Sequence, residues 1–180
     1  MMKHWKHGVT LLLAGLLAVL SLTGCGGGDA SLRRNIGRAL SLDCSAGNIT
    51  RRYDSHGGFL GDGVSFYALT FPDDALTQTL AQSGAWKPLP AGEQVSAALW
   101  GVETDILSVA PLVMNYSDYE AGAFVPRVTD GYYFFRDRHS AAADPKDETH
   151  LFDEDRSSYN FTVAVYDSAA HMLYFAEVDT

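Results

Sequence analysis

NFTVAVYDSAAHMLYFAEV, residues 160–178, decides the fold. Phe161, Val163 and Val165 alternate with Thr162, Ala164 and Tyr166. After a turn over residues 167–170, Met172, Tyr174, Ala176 and Val178 repeat the same spacing of two. Apolar residues at period two make strands, and a short polar turn between two such runs makes an antiparallel hairpin. Working back from it, GYYFFRDR (131–138) reads as a strand with aromatic residues on both faces. VSFYALTF (64–71) reads as another, with Val64, Phe66 and Ala68 on one face, and NITRRYD (48–54) as a third. Between the last two lies HGGFLGDG (56–63), four glycines in eight residues, which is hairpin chemistry. No Gly-Lys-Ser/Thr follows it and a strand succeeds it, so a hairpin is expected rather than a phosphate nest.

Helical spacing occurs in three places. Leu32, Ile36, Ala39 and Leu40 share a face over residues 31–42. Pro72-Asp73-Asp74 starts a second helix, with Ala75, Leu76, Leu80 and Ala81 inward and Ser83-Gly84 as its stop. Residues 86–90 turn the chain, and Gly92-Glu93 opens a third helix with Val95, Ala98 and Leu99 inward. Pro111, Gly122 and Pro126 break up residues 102–130, which read as irregular with one short element. The expected architecture is α+β: a single domain, a mostly antiparallel sheet of about five strands, and two or three short helices on one face.

A length of 180 residues fits one ordinary domain, and 47% apolar content excludes a disordered chain. Thirteen basic against 22 acidic side chains give a formal charge of -9, which excludes a nucleic-acid partner, since phosphate binding needs clustered Lys and Arg. The N-terminus is an address. Lys3 and Lys6 precede an almost wholly apolar run of twelve residues, 9–20, too short to span a bilayer and right for a signal-peptide core. Leu22-Thr23-Gly24-Cys25 follows and resembles the lipobox of bacterial lipoproteins. The resemblance implies removal of residues 1–24, a thioether-linked diacylglycerol on Cys25, and acylation of its freed amine by a chain such as palmitate. Two or more acyl chains suffice for stable anchoring. The expected organisation is then signal peptide 1–24, lipidated Cys25 and a glycine tether over 25–30, and a globular domain over 31–180.

The processed chain carries 11 bases and 22 acids, so an anionic bilayer repels the domain, which is expected to stand off the membrane rather than lie on it. The implied location is the outer face of the cell membrane. In a two-membrane envelope it is the outer membrane, because Gly26 is not the aspartate associated with inner-membrane retention. With Cys25 consumed by lipid, Cys44 has no disulfide partner and reads as a buried filler.

The segments Asp54-Ser55-His56-Gly57-Gly58-Phe59, Gly61-Asp62-Gly63 and residues 132–140, with 159–167 and Leu173-Tyr174-Phe175, resemble small lipoproteins of Gram-positive gut bacteria. No activity is assigned to that group, and residues 102–130 lie outside the resemblance. It implies a compartment and no chemistry.

Candidate chemistry rests on His56 and His139, each two residues after an aspartate (Asp54, Asp137) at a strand end. If those two strands run in the same sense, His56, Asp62, Asp137 and His139 converge as a divalent-metal set. The same histidines with an oriented carboxylate, and Ser55 or Ser140 as nucleophile, would make half of a hydrolase. Neither HExxH nor a Gly-x-Ser-x-Gly elbow is present. The bland reading is that Asp54, Asp62 and His139 shape turns. Residues 144–156 hold six acids against Lys146 and Arg156 without the glycine of a calcium loop, and read as a solvated, mobile loop. Trp86 and Trp100 read as core caps rather than sugar platforms. The expected function is a membrane-tethered, non-catalytic module that binds an envelope protein or glycan or otherwise plays an envelope role. The alternative is a small hydrolase or divalent-metal-dependent enzyme using His56, His139, Asp62 and Asp137. A transporter's solute-binding component is disfavoured by size, because so short a chain does not easily form two lobes around a cleft.

Overall fold

The computed structural model describes residues 26–57, 61–104 and 108–180. Cys25 and the expected signal peptide over residues 1–24 lie outside the described residues, as do residues 58–60 of the glycine-rich stretch. The chain divides into two compact units, Met1–Ser45 and Ala46–Thr180. In the first, α1 covers Gly26–Leu40. The three glycines expected as a tether are its first turn, ahead of Asp29, whose charge suits a helix N-terminus. Ile36, Leu40 and Cys44 are buried, while Arg34, Asn35 and Arg38 are exposed. The backbone N–H of Leu42 closes the helix on the Gly37 carbonyl at 2.8 Å.

In the second unit the elements are β1 (Asn48–Asp54), β2 (Gly63–Thr70), α2 (Ala75–Gln82), β3 (Trp86–Pro88), α3 (Glu93–Trp100), β4 (Val102–Glu103), β5 (Ser108–Val109), a 3-10 turn (Tyr119–Ala121), β6 (Gly131–Asp137), β7 (Phe161–Asp167) and β8 (Met172–Asp179). Six strands form one sheet in the order β1-β2-β8-β7-β6-β3, and β4 and β5 form a separate two-stranded ribbon. Every neighbouring pair in the large sheet is antiparallel. The α+β class and the antiparallel sheet stand as expected. The strand count rises because Trp86–Pro88, expected as a turn, pairs along β6 as an edge strand. Three residues are too few to show a period, and a proline is tolerated on an edge.

The helices of this unit do not share a face. Val95, Ala98 and Leu99 of α3 join Val64, Phe66, Tyr133, Phe135, Phe161, Val163, Val165 and Tyr174 in one apolar core. Leu76 and Leu80 of α2 are buried outside that core. They belong to the side of Phe134 and Tyr166, where Trp86 packs on Phe134 at 5.6 Å between ring centres and α2 lies against β3 and β6. Both faces are therefore covered, and the first six residues of β7 are all buried. On the α3 face Phe66 stacks on Phe124 at 4.8 Å, and the Arg51 guanidinium lies 5.1 Å from the Phe66 ring centre. Residues 102–130 are mostly irregular, as expected, and Val113, Phe124, Val125 and Val128 tie them into the core.

Gly131 begins β6 at φ +144°, and a Cβ there would collide with the Tyr166 carbonyl oxygen. β6 starts where it does because only glycine lets the two backbones approach so closely.

Candidate functional site

Antiparallel pairing through the whole sheet makes β1 and β6 run in the same sense. Asp54 and Asp137 thus end at the same edge, which satisfies the condition set by the sequence. The convergence nevertheless fails. Strands β2, β8 and β7 stand between β1 and β6, and four interstrand steps span about 19 Å. Two separate constellations result.

At the β1 end, His56 Nδ1 lies 2.8 Å from Asp54 Oδ1, and Nε2 lies 3.2 Å from Asp179 Oδ2 on β8. Ionised carboxylates only accept, so both contacts are hydrogen bonds only when both ring nitrogens carry protons. Burial opposes the charge, but Asp54 and Asp179 outweigh it and raise the His56 pKa above its ordinary value. Arg138 grips Asp179 from the other side, with Nη1 to Oδ1 at 2.8 Å and Nη2 to Oδ2 at 3.0 Å. Its Nη2 also reaches the Phe161 and Val178 carbonyls at 3.1 and 3.2 Å. Asp54, His56, Asp179 and Arg138 therefore form a chain of charges across the sheet end. Neither His56 nitrogen is left to bind a metal or accept a proton. Ser55 is occupied too, accepting the Val64 N–H at 2.9 Å. Asp62 is exposed in the β1–β2 connection.

At the β6 end, Asp137 is 5% exposed and meets Arg156 in a two-pronged pair, Nη1 to Oδ2 at 2.7 Å and Nη2 to Oδ1 at 2.8 Å. Its Oδ1 also accepts the His139 N–H at 2.9 Å. Burial pushes against ionisation of Asp137, but the Arg156 and His139 bonds prevail and lower its pKa. The segment between β6 and β7 has no regular structure. It is nonetheless held: Leu151 is fully buried, Phe152 donates to Gln94 Oε1 at 2.9 Å, and Gln94 Nε2 donates to the Thr149 carbonyl. Glu148 accepts from the Tyr133 hydroxyl at 3.0 Å and from Lys87 at 3.1 Å. Burial, then Glu148, pushes Tyr133 up to about 12. The expected solvated loop is exposed at Asp144, Asp153, Glu154 and Asp155 and anchored through Glu148, Leu151 and Phe152.

This segment encloses an open cleft of about 290 Å³ lined by five aspartates, among them Asp144, Asp147 and Asp155, with His139, His150 and Arg156. His150 lies 2.7 Å from Asp153 and 3.6 Å from Asp147, and Asp153 first, then Asp147, raises its pKa. The His139 ring approaches Ser157, with Nε2 3.5 Å from Oγ, a serine the sequence reading did not single out. The geometry runs against nucleophile activation. His139 Nδ1 accepts the Ala141 N–H at 3.3 Å, so the neutral ring carries its proton on Nε2 and donates toward Ser157. A general base needs the reverse, with Nε2 bare and a carboxylate on Nδ1.

The structure thus brings Asp137 and His139 together and leaves His56 and Asp62 out. Among the described residues, no three His, Cys, Asp or Glu side chains are grouped as metal ligands. Arg156, Asp179 and Arg138 decide the geometry and were missed as partners. A buried carboxylate at the end of a strand requires a cation, and that demand was the available signal. Both tryptophans are structural, as expected: Trp86 is buried, and Trp100 Nε1 donates to the Val125 carbonyl at 3.0 Å beneath Arg127. Cys44 is buried, and burial raises its thiol to about 11. Among the described residues no helix is long and apolar enough to cross a membrane. No family model matches the chain, and no curated protein or solved structure matches it either.

Proposed function

We propose that this chain is a lipid-anchored extracytoplasmic protein whose folded part binds a protein or glycan of the cell envelope without catalysing a reaction. One observation carries the reading: the order of Lys3 and Lys6, an apolar run too short to span, and Leu22-Thr23-Gly24-Cys25. The location follows as the outer face of the membrane that receives the lipid. The alternative, a small hydrolase or divalent-metal enzyme, draws less support, because His56 is held by two carboxylates and His139 donates toward Ser157.

The test is metabolic labelling of cells that express the full chain, using alkyne-tagged palmitate. The expected product carries the label, lacks residues 1–24, and sediments with membranes. Cys25→Ala is expected to lose the label and retain the leader. An unlabelled wild-type chain, or label surviving in Cys25→Ala, overturns the anchor. The divalent-metal alternative is tested separately by unfolding with chelator and with added zinc, calcium or manganese. A metal at a hundred times its dissociation constant would stabilise by about 2.7 kcal/mol. No rise in midpoint is expected; a rise abolished by His139→Ala would restore the enzyme reading.

A further inference from the structure

The charge of this chain is unevenly placed. Residues 46–180 hold 8 bases and 20 acids, whereas residues 26–45 hold Arg33, Arg34 and Arg38 against Asp29 and Asp43. All three arginines lie on α1, which begins at the residue after Cys25. Ile36 and Leu40 are buried, and Arg34 and Arg38, one helical turn apart, are exposed together with Asn35. Arg38 donates to Asn35 at 3.3 Å, an interaction within the same polar face.

We infer that the arginine face of α1 docks on anionic phospholipid headgroups of the membrane that holds Cys25. The inference rests on the lipid anchor proposed above and deepens it. Helix geometry supplies the argument. At 1.5 Å per residue, Arg34 lies about 14 Å and Arg38 about 20 Å along the axis from Cys25. Charge is screened within about 8 Å at physiological salt, so a helix standing on its anchor gains nothing from either arginine. A helix lying along the surface brings Arg33, Arg34 and Arg38 within range at once. Each such residue multiplies the surface-bound population about fivefold. Asp29 sits in the first turn and offsets part of this. The same surface repels the acidic remainder of the chain, so headgroup charge acts with opposite sign on its two parts.

The test uses the full lipidated chain with a fluorophore on Asn35→Cys, reconstituted in vesicles of phosphatidylcholine alone or an equal mixture with phosphatidylglycerol. A quencher attached to lipid headgroups reports contact. The expected result is flotation with both vesicles, and quenching only where phosphatidylglycerol is present. That quenching disappears in high salt and in the triple variant Arg33→Gln, Arg34→Gln, Arg38→Gln. Arg34→Gln alone should lower the ratio of lying to standing helix about fivefold. Glutamine matches arginine in helix propensity, so unchanged circular dichroism verifies that the helix persists. Flotation with quenching indifferent to phosphatidylglycerol, or to the triple variant, overturns the docking and leaves the anchor intact. Failure to float removes the anchor and the docking together.

Discussion

Replacing Asp137 with asparagine tests the β6 end of the sheet most directly. The carboxylate accepts two bonds from Arg156, at 2.7 and 2.8 Å, and one from the His139 N–H at 2.9 Å. The side chains of Asp137 and Arg156 are 3% and 6% exposed, so water does not replace what is lost. Asparagine keeps one acceptor oxygen and turns an N–H₂ toward a guanidinium that can only donate. Removing one member of a buried pair leaves a desolvated charge and costs about 3–5 kcal/mol. At roughly 2–4 °C per kcal/mol for a chain of this size, the midpoint should fall by about 10 °C.

Urea and thermal unfolding of the purified protein measure this cost, and acid separates it from a packing defect. The folded pKa of Asp137 lies below its ordinary value of 3.8, so its stabilisation is complete above that value and fades as pH falls through the folded one. The gap between wild type and Asp137→Asn should therefore narrow in that acid window. Asp137→Leu with Arg156→Met should recover much of the loss, because an apolar pair of similar volume tolerates the same burial. Recovery will be incomplete, since Arg156 Nε also donates to the Ser158 carbonyl at 2.8 Å. A loss below about 1 kcal/mol for Asp137→Asn, the size of an ordinary substitution, would refute the view that this pair is structural.

His56→Gln should cost more stability at acid than at alkaline pH. The raised folded pKa means that the imidazolium contributes fully below 6.5, and the contribution is lost as pH rises through the folded value; a gap constant from pH 5.5 to 8.5 refutes it. Gly131→Ala should cost several-fold more than Gly61→Ala in urea unfolding. Both need positive φ, but a Cβ at Gly61 meets nothing within 4 Å, and one at Gly131 strikes the Tyr166 carbonyl; equal losses would sink the argument. Under the proposed anchor the native protein should show no reactive thiol at neutral pH and one after denaturation, because Cys44 is buried with its thiol raised to about 11 and lipid would occupy the Cys25 sulfur; two thiols in denaturant would mean that Cys25 is free.

The strands were legible because their residues repeat at period two, and α2 and α3 because an acid or proline opens each and apolar positions follow at helical spacing. Amphipathicity fixed which side of α2 is buried but not which face of the sheet it covers. That answer lay in β7. Thr162 is the one polar side chain between Phe161 and Tyr166, and a run so apolar marks a strand covered on both faces. The alternation of Thr162, Ala164 and Tyr166 against Phe161, Val163 and Val165 suggested one inside and one outside, and chain order alone put both helices together. β3 was invisible because its strand character comes from pairing with β6 rather than from its own three residues.

The candidate site misled for a reason visible elsewhere in the chain. Asp54 and His56, like Asp137 and His139, are two apart, a spacing that suggested a carboxylate orienting an imidazole. In both, the aspartate Oδ1 accepts the histidine backbone N–H at 2.9 Å, and only at Asp54 does the same oxygen also meet the ring, 2.8 Å from His56 Nδ1. The same bond joins Asp43 to Ser45, Asp73 to Ala75, Asp144 to Lys146, Asp147 to Thr149 and Asp167 to Ala169, at 2.8 to 3.0 Å. The second residue is serine, alanine, lysine, threonine or histidine without changing the bond, so the imidazole is not what the spacing selects. Aspartate closes a turn on its own backbone two residues on, and strand ends need such turns. What distinguishes the two histidine pairs is their third partner: Asp179 draws His56 into a charge chain, and Arg156 draws Asp137 into the protein. Each comes from a segment distant in sequence, so only the assembled sheet could reveal it.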